Sequence, residues 1–528
     1  MKKANYVSSF AIFLFVVFIT TSSSVQAIPA EQKMQVKLAP PVAYDSGAPY
    51  ADSVAMADLN GDGIPDLVLA NYCQSLGLNG CTGNGQVSVL IGNGDGAFQP
   101  AVTYSTGAYL AYSVAVADLR GDGVLDLVVA NFCLNLDQYG DCNGLGGLSV
   151  LLGNGDGTFQ PAVTYSTGAY GSVSVAVGDL NGDGIPDLAV TNIYAPSGSD
   201  GSVGVLLGNG DGTFRPAVNY DSGGYQADWV EIEDMNGNGI PDLVVANLCQ
   251  NGGCYTDGEA AVLLGNGDGT FQPAVTYDSG GSVTYSVAVR DLRGNGILDL
   301  VTTSRYAPKN TLGVLLGNGD GTFQPASIYD LDGWQYDAVA VGDVNGDGIP
   351  DLVVVEECQH IRGEACLGTG LVSILLGNGD GTFQVPIKYV SGGYEGSGIA
   401  IGDVNGDDRP DIVVTNACGG GCGADGSVAV LLNETYYASK TALTSSPNPS
   451  QVNQMVTFTA TITPTPPNGE VVTFYNGQTE LGTGATTNGV ATLTTSFSKA
   501  GKYTIKSTYP GDAFRKPSSG TVKQVVNL

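Results

Sequence analysis

The sequence predicts an all-β protein: a seven-bladed β-propeller of four-stranded blades followed by a small β-sandwich. Three observations point to it. A loop of the form Asp-x-(Asn/Arg)-Gly-(Asp/Asn)-(Gly/Asp)-x-x-Asp recurs seven times, its first residue at Asp58, Asp118, Asp179, Asp234, Asp291, Asp343 and Asp403. The steps between copies, 52 to 61 residues, are those of a repeat array rather than of one continuous core. The seventh copy breaks off at Asn433-Glu434-Thr435 without a fourth strand, and a matching strand, Pro40–Tyr44, stands ahead of the first copy. An N-terminal strand that completes the last blade closes the ring and removes the exposed edges of an open array.

Each unit reads as four short strands. In the first copy they are Ser53–Ala57, Leu67–Ala70, Val87–Ile91 and Pro100–Tyr104, rich in Val and alternating, with Asn-Gly and Asp-Gly pairs at the hairpins. Six copies also carry Gly-Asn-Gly-Asp-Gly-(Thr/Ala)-Phe, ending at Phe98, Phe159, Phe214, Phe271, Phe323 and Phe383. One carboxylate each is thin coordination, so these segments are expected to be turns with a Phe core anchor rather than metal sites. After Tyr437 the composition shifts to Thr, Ser and Pro. There Val456–Ile462, Glu470–Tyr475, Gly489–Thr494 and Tyr503–Ser507 alternate as the strands of a small sandwich.

Charge and composition narrow the function. In 528 residues, 20 Lys and Arg face 51 Asp and Glu, a net charge of −31 that argues against nucleic acid as a partner. A single histidine, His360, removes Ser-His-Asp triads, His-ligated zinc and imidazole bases repeated through the array. Residues 1–27 read as a signal peptide: Lys2 and Lys3, an apolar stretch Phe10–Thr20, and Val25-Gln26-Ala27 at the cleavage position. That stretch is short for a bilayer span and no second one follows, so no transmembrane segment is expected in the mature chain. The expected location is secreted or on the cell surface, where ten cysteines favour disulfides over zinc.

The acidic loops have the chemistry of calcium sites. Calcium takes six to eight hard oxygens, and alternate positions of a short loop supply them. Loop one offers Asp58, Asn60, Asp62 and Asp66 with the backbone carbonyl of Ile64. Loop three offers Asp179, Asn181, Asp183 and Asp187 with Ile185, and loop six Asp343, Asn345, Asp347 and Asp351 with Ile349. Loop seven offers Asp403, Asn405, Asp407 and Asp411 with the carbonyl of Arg409, but has Asp408 where the others have a second Gly. Loop two keeps Asp118, Asp122 and Asp126 but has Arg120 at the Asn position, and loop four has only Asp234 and Asp242 with Asn236 and Asn238. Loop five pairs Asp291, Asn295 and Asp299 with Arg293, whose head cannot coordinate a cation but can neutralise the carboxylates. Up to seven structural Ca²⁺ sites are expected, the Asp291 loop weakest or empty.

The seven Asp-x-Asn-Gly-Asp-Gly-x-x-Asp loops resemble the FG-GAP or VCBS repeats of integrin-alpha-type propellers, over about residues 36–437. The resemblance implies a seven-bladed propeller over residues 28–437 with calcium in its hairpin loops, used for extracellular recognition of no single ligand. Residues 438–528 are similar to a bacterial Ig-like domain, through Val472-Thr473-Phe474-Tyr475, Leu481-Gly482-Thr483 and Tyr509-Pro510-Gly511-Asp512.

In an up-and-down blade the calcium loops and the Gly-Asn-Gly-Asp turns share one face. The opposite face carries the variable loops, where recognition usually lives. Cysteines fall there in local pairs, expected to bond as Cys73–Cys81, Cys133–Cys142, Cys249–Cys254, Cys358–Cys366 and Cys418–Cys422. So do Tyr50, Tyr109, Tyr170, Tyr225, Tyr285, Trp334, Tyr336 and Tyr394, which either wedge between blades or present flat apolar faces to a ligand. The expectation is a non-enzymatic module for adhesion or for binding an extracellular glycan or protein. A polysaccharide lyase or hydrolase and a purely structural matrix component are the alternatives.

Overall fold

The computed structural model describes residues 36–528 except 78–79, 137–141, 143, 197, 199, 251–257, 306–309, 332, 359, 363–364 and 420–424. The signal peptide expected at residues 1–27, and Cys254 and Cys422, lie outside the described residues. The described residues form strands and no helix, and seven of the sheets are four-stranded and antiparallel.

Blade one comprises Ala51–Ala57, Asp66–Asn71, Gln86–Leu90 and Val102–Ser105, inner strand to outer. Blades two to six repeat this order. Blade seven takes three strands from its own repeat, Tyr394–Gly402, Asp411–Cys418 and Ser427–Leu431, and its outer strand, Val42–Asp45, from the N-terminus. Val42 pairs with Val430 and Tyr44 with Val428. The closing strand foreseen from the Pro40–Tyr44 match is therefore present, shifted by one to two residues. The ring closes through side chains as well: Val54, Leu67 and Leu69 of blade one share a buried cluster with Val413, Val428 and Val430 of blade seven.

The core lies between blades rather than within them. Each turn Phe meets edge-on a Tyr from the outer strand of the preceding blade, with ring centroids 5.6 Å apart for Tyr44–Phe98 and 5.0 Å for Tyr277–Phe323. Such pairs contribute about 0.5–1.5 kcal/mol beyond their buried area. Blade seven lacks the Phe, and the Tyr389 hydroxyl instead donates to the Val36 carbonyl, 2.7 Å away, in the N-terminal segment.

The inner two strands of every blade break register at one place. In blade one Ala51 pairs with Asn71 and Ser53 with Ala70, leaving Asp52 as a bulge. The same break leaves Tyr112 in blade two and Asp228 in blade four. Bulges turn a side chain out of the ladder, and these lie on the strands nearest the propeller axis.

Beyond Tyr437, Lys440–Ser446, Met455–Thr463 and Val490–Ser496 form one sheet of a sandwich and five strands form the other, around Val456, Phe458, Phe474 and Ile505. This module docks on loops six and seven. Arg515, 1% exposed, donates from Nη2 to the Gly346 carbonyl at 2.7 Å, and Arg409 Nη1 donates to the Ala513 carbonyl at 2.9 Å. Phe514 covers Gly346 so closely that a Cβ there would lie 2.3 Å from its ring.

Candidate functional site

The acidic loops are built by their own carboxylates. In loop one Asp58 Oδ1 accepts from the Gly61 and Asp62 amides (2.7 and 3.0 Å) and Oδ2 from Gly63 (2.8 Å). Asn60 Oδ1 accepts from Asp62 N and Asp62 Oδ1 from Ile64 N. Asp66, fully buried, accepts from Leu59 N through Oδ2 and from Gly92 N through Oδ1, tying the loop to the neighbouring turn. A carboxylate oxygen carries two lone pairs, so each oxygen committed to one amide retains capacity for a cation. Burial pushes the Asp66 carboxyl up to about 6; its backbone hydrogen bonds oppose the shift, and the charges of Asp62 and Asp58 add to it. Asp187 and Asp411 are raised to about 6 and Asp351 to about 8 for the same leading cause. The loops supply hard oxygens of the kind a divalent cation takes, although among the described residues no group of three or more acidic, histidine or cysteine side chains is gathered as a formed metal centre. The left-handed turn these loops need is made by Gly63 (φ 85°), Gly184 (φ 81°) and Gly348 (φ 83°), and in loop seven by Asp408 (φ 62°).

Loops two and five carry an arginine where the others have asparagine. Arg120 donates from Nη2 to Asp126 Oδ1 (2.8 Å) and to the Gly153 carbonyl (2.9 Å), from Nε to Asp126 Oδ2 (3.2 Å), and its Nη1 pairs with Asp122 at 3.1 Å. Arg293 likewise reaches Asp299 Oδ1 and the Gly317 carbonyl through Nη2, at 2.6 and 2.8 Å. The guanidinium engages the last carboxylate of each loop, so loops two and five each hold an arginine cation against their own carboxylates. In loop four Asn236 Nδ2 donates to Asp242 Oδ2 at 3.2 Å, a neutral version of the same contact. In loop seven Arg409 pairs with Asp407 rather than with the last carboxylate, Asp411, and donates to the Asn433 carbonyl at 2.7 Å.

On the opposite face Cys73–Cys81 and Cys133–Cys142 are bonded, and Cys249, Cys358 and Cys418 are each disulfide-bonded. The aromatics there do not form a uniform ring. Tyr170 is 41% and Tyr394 36% exposed, whereas Tyr336 is fully buried, its hydroxyl accepting from the Leu331 and Gly333 amides. Tyr336 is thus a core residue, not part of a ligand face. Tyr109 is half-buried, and Trp334 opens the inner strand of blade six. Tyr225 packs against Tyr194, Tyr50 against Tyr72, and Tyr285 lies under Arg305, 4.0 Å from the guanidinium carbon.

Those last contacts lead to a group the sequence reading missed. Asp52, Tyr72, Tyr112, Asp228 and Arg305 come from blades one, one, two, four and five. Tyr72 and Tyr112 stack with centroids 4.5 Å apart, and both are perturbed by the charges of Asp52 and Asp228. Blades one and four are not neighbours in a ring of seven, so only the axis brings these side chains together. Burial raises Asp52 and Asp228 to about 7, against the opposing charge of Arg305. Arg305 itself pairs with Asp337 of blade six. The signal in the sequence was a threonine. Thr415, Thr191 and Thr303 donate to the carbonyls of Asp52, Asp228 and Asp337 at 3.2, 3.0 and 3.2 Å, each from the blade before. Those three threonines occupy the place where the other blades have Ala or Val.

The FG-GAP-like repeat family matches residues 77–129, 135–190, 193–245, 234–302, 304–354 and 365–414, which is more than half of the sequence. The chain belongs to the FG-GAP-like repeat family. Residues 50–90 match the related FG-GAP repeat, and residues 443–527 the bacterial Ig-like domain (group 3). Among curated proteins, this FG-GAP chain is 29% identical over 238 residues to integrin alpha pat-2 of Caenorhabditis elegans, covering 40% of this chain and 18% of that protein. It is 28% identical over 215 residues to integrin alpha-V of Gallus gallus, covering 37% and 19%. The matched part spans less than a fifth of either relative. Among solved structures, the exotype rhamnogalacturonan lyase YesX is similar over 74% of this chain and 75% of its own, at 13% identity and a TM-score of 0.42. An enzyme among the similar structures corrects the expectation that the chain is not one, although a likeness of that degree assigns it no reaction. Among the described residues no helix is long and apolar enough to cross a membrane.

Proposed function

We propose that the chain is an extracellular ligand-binding propeller in which Ca²⁺ at loops one, three, six and seven stiffens the ring, and whose disulfide-bearing face takes a glycan or protein ligand in adhesion or capture. The observation that carries this reading is the exchange of Asn60 for Arg120 at one loop position, where the arginine contacts its carboxylates as a bound cation would. A loop that needs a positive charge and lacks an arginine draws one from solution. Calcium's part would be to relieve repulsion among Asp58, Asp62 and Asp66 and their counterparts, and so to fix the hairpins. The integrin likeness supports protein ligands, and the half-exposed tyrosines of the opposite face support stacking against sugars.

Calorimetric unfolding with calcium and with excess EGTA tests the metal part. Each site binding only the folded state adds about 2.7 kcal/mol at a hundredfold excess over Kd, so the transition should rise by many degrees in calcium. An unchanged transition rejects the reading. Glycan and surface-protein arrays in calcium test the ligand part, with saturable binding expected and its absence on both arrays counting against it.

A further inference from the structure

The two modules carry opposite charge. Residues 438–528 hold seven Lys and Arg against three acids, whereas residues 28–437 hold 11 against 48. Two of the three acids are engaged at the joint with the propeller: Asp512 accepts from the Tyr509 hydroxyl and pairs with Arg515, and Glu470 feels the charges of both. The free cations of the module lie together elsewhere. Lys502, Lys506 and Lys523 are exposed on the outer face of the five-stranded sheet, while Ile505, Val522 and Val526 of the same two strands face the core. Lys523 pairs with Thr504, which places it diagonally between Lys502 and Lys506, about 7–8 Å from each. None of the three forms an ion pair among the described residues. Like charges so close repel, and an anion laid across them relieves the repulsion.

The rest of the face indicates what kind of anion. Thr504 stands between the lysines, Thr521 pairs with Lys506 on one side, and the half-buried Tyr475 pairs with it on the other, with Glu480 beyond Tyr475 on the next strand. Ammoniums, hydroxyls and a ring face on one flat sheet match the carboxylates, hydroxyls and pyranose faces of an acidic sugar chain. Asn448 holds the strand of Lys523 in place, donating to the Lys523 carbonyl at 2.7 Å and accepting from the Val525 amide at 3.1 Å. The joint with the propeller, at Phe514 and Arg515, follows Tyr509, and Lys502 lies at the far end of that strand, about 23 Å away. That is more than twice the screening length of about 8 Å at physiological ionic strength. The acidity of the propeller therefore reaches the Lys502 end of the face only weakly.

We propose that this face of the Ig-like module binds an acidic polysaccharide, a polyuronate, with Lys502, Lys506 and Lys523 on its carboxylates and Tyr475 against a sugar ring. The propeller repels the same polymer, so the molecule docks by its Ig-like end and holds the ring away from the polymer. The whole-chain charge of −31 hides this basic end. The inference goes beyond the reading of the propeller: it needs neither calcium in the loops nor a ligand on the disulfide-bearing face.

Titration calorimetry of the full chain in calcium at low salt tests it, with an oligomannuronate in one arm and a neutral cello-oligosaccharide, inorganic polyphosphate and phosphatidylglycerol vesicles in the others. Saturable binding of oligomannuronate is expected, weakening as salt rises, with none of the neutral chain. Lys502→Gln, Lys506→Gln and Lys523→Gln should each weaken it about threefold, and together about thirtyfold. Lys440→Gln, on the other sheet, should not. Tyr475→Ala should weaken oligomannuronate binding about threefold and leave polyphosphate binding as it was. The triple variant should unfold at the wild-type temperature, which separates loss of binding from loss of fold. No binding of oligomannuronate, equal binding by the triple variant and wild type, or tighter binding of polyphosphate or vesicles overturns the proposal. Any of these results, with the calcium response of the unfolding transition intact, leaves the reading of the propeller standing.

Discussion

Loop one and loop two have the same length, the same three aspartates and the same tie from their last Asp to the next turn, yet they solve their charge differently. Asp66 accepts from Leu59 and Gly92, and Asp126 from Leu119 and Gly153, with matching geometry. The difference in charge is Asn60 against Arg120, beside the apolar changes of Ile64 to Val124 and Pro65 to Leu125. Burial raises Asp66 to about 6 with no cation of its own, whereas in loop two the hydrogen bond and charge of Arg120 oppose the rise at Asp126. A repeat can therefore keep one backbone while its third loop residue decides whether it carries a cation of its own.

The comparison breaks hardest at Arg120→Ala. Removing a guanidinium from the fully buried Asp126 leaves an uncompensated charge and should cost about 3 kcal/mol in urea unfolding with EGTA present. A loss under half a kcal/mol would mean the ion pair is idle. Arg120→Asn gives loop two the four oxygen-bearing side chains of loop one. It should be destabilised in EGTA, recover in calcium by about 2.7 kcal/mol at a hundredfold excess over Kd, and bind one more calcium ion than wild type. Recovery without a further ion would sever stability from metal. Arg293→Asn gives only two carboxylates, Asp291 and Asp299, and should gain a weaker site. The smallest effect is at Asp408, the non-glycine in a left-handed turn: Asp408→Gly relieves the backbone and should add about 1 kcal/mol. Its amide bond to Asp403 Oδ2, at 2.7 Å, should be unaffected.

The ring was legible in the sequence because every part of its evidence is local and repeated: the loop, the Phe turn, and a missing strand matched at the other end. The axial group was not, because Asp52, Tyr112, Asp228 and Arg305 are each unremarkable within their own blades and meet only after seven blades close. Aromatic spacing misled for a related reason. Tyr285 aligns with the bulge position of Tyr112, and Tyr336 falls where burial in the blade interface decides its neighbours. The docking of the Ig-like module on loop six was equally hidden, since Arg515 and Gly346 lie 169 residues apart in a contact no repeat announces.

The central claim is that an arginine inside a loop and a calcium ion are alternatives. Anomalous diffraction from calcium-grown crystals tests it most directly. Calcium is expected in loops one, three, six and seven, with the two-carboxylate loop four filling last, and none beside Arg120 or Arg293. Calcium seated against either arginine, or its absence from the four Asn-bearing loops with three carboxylates, would contradict it.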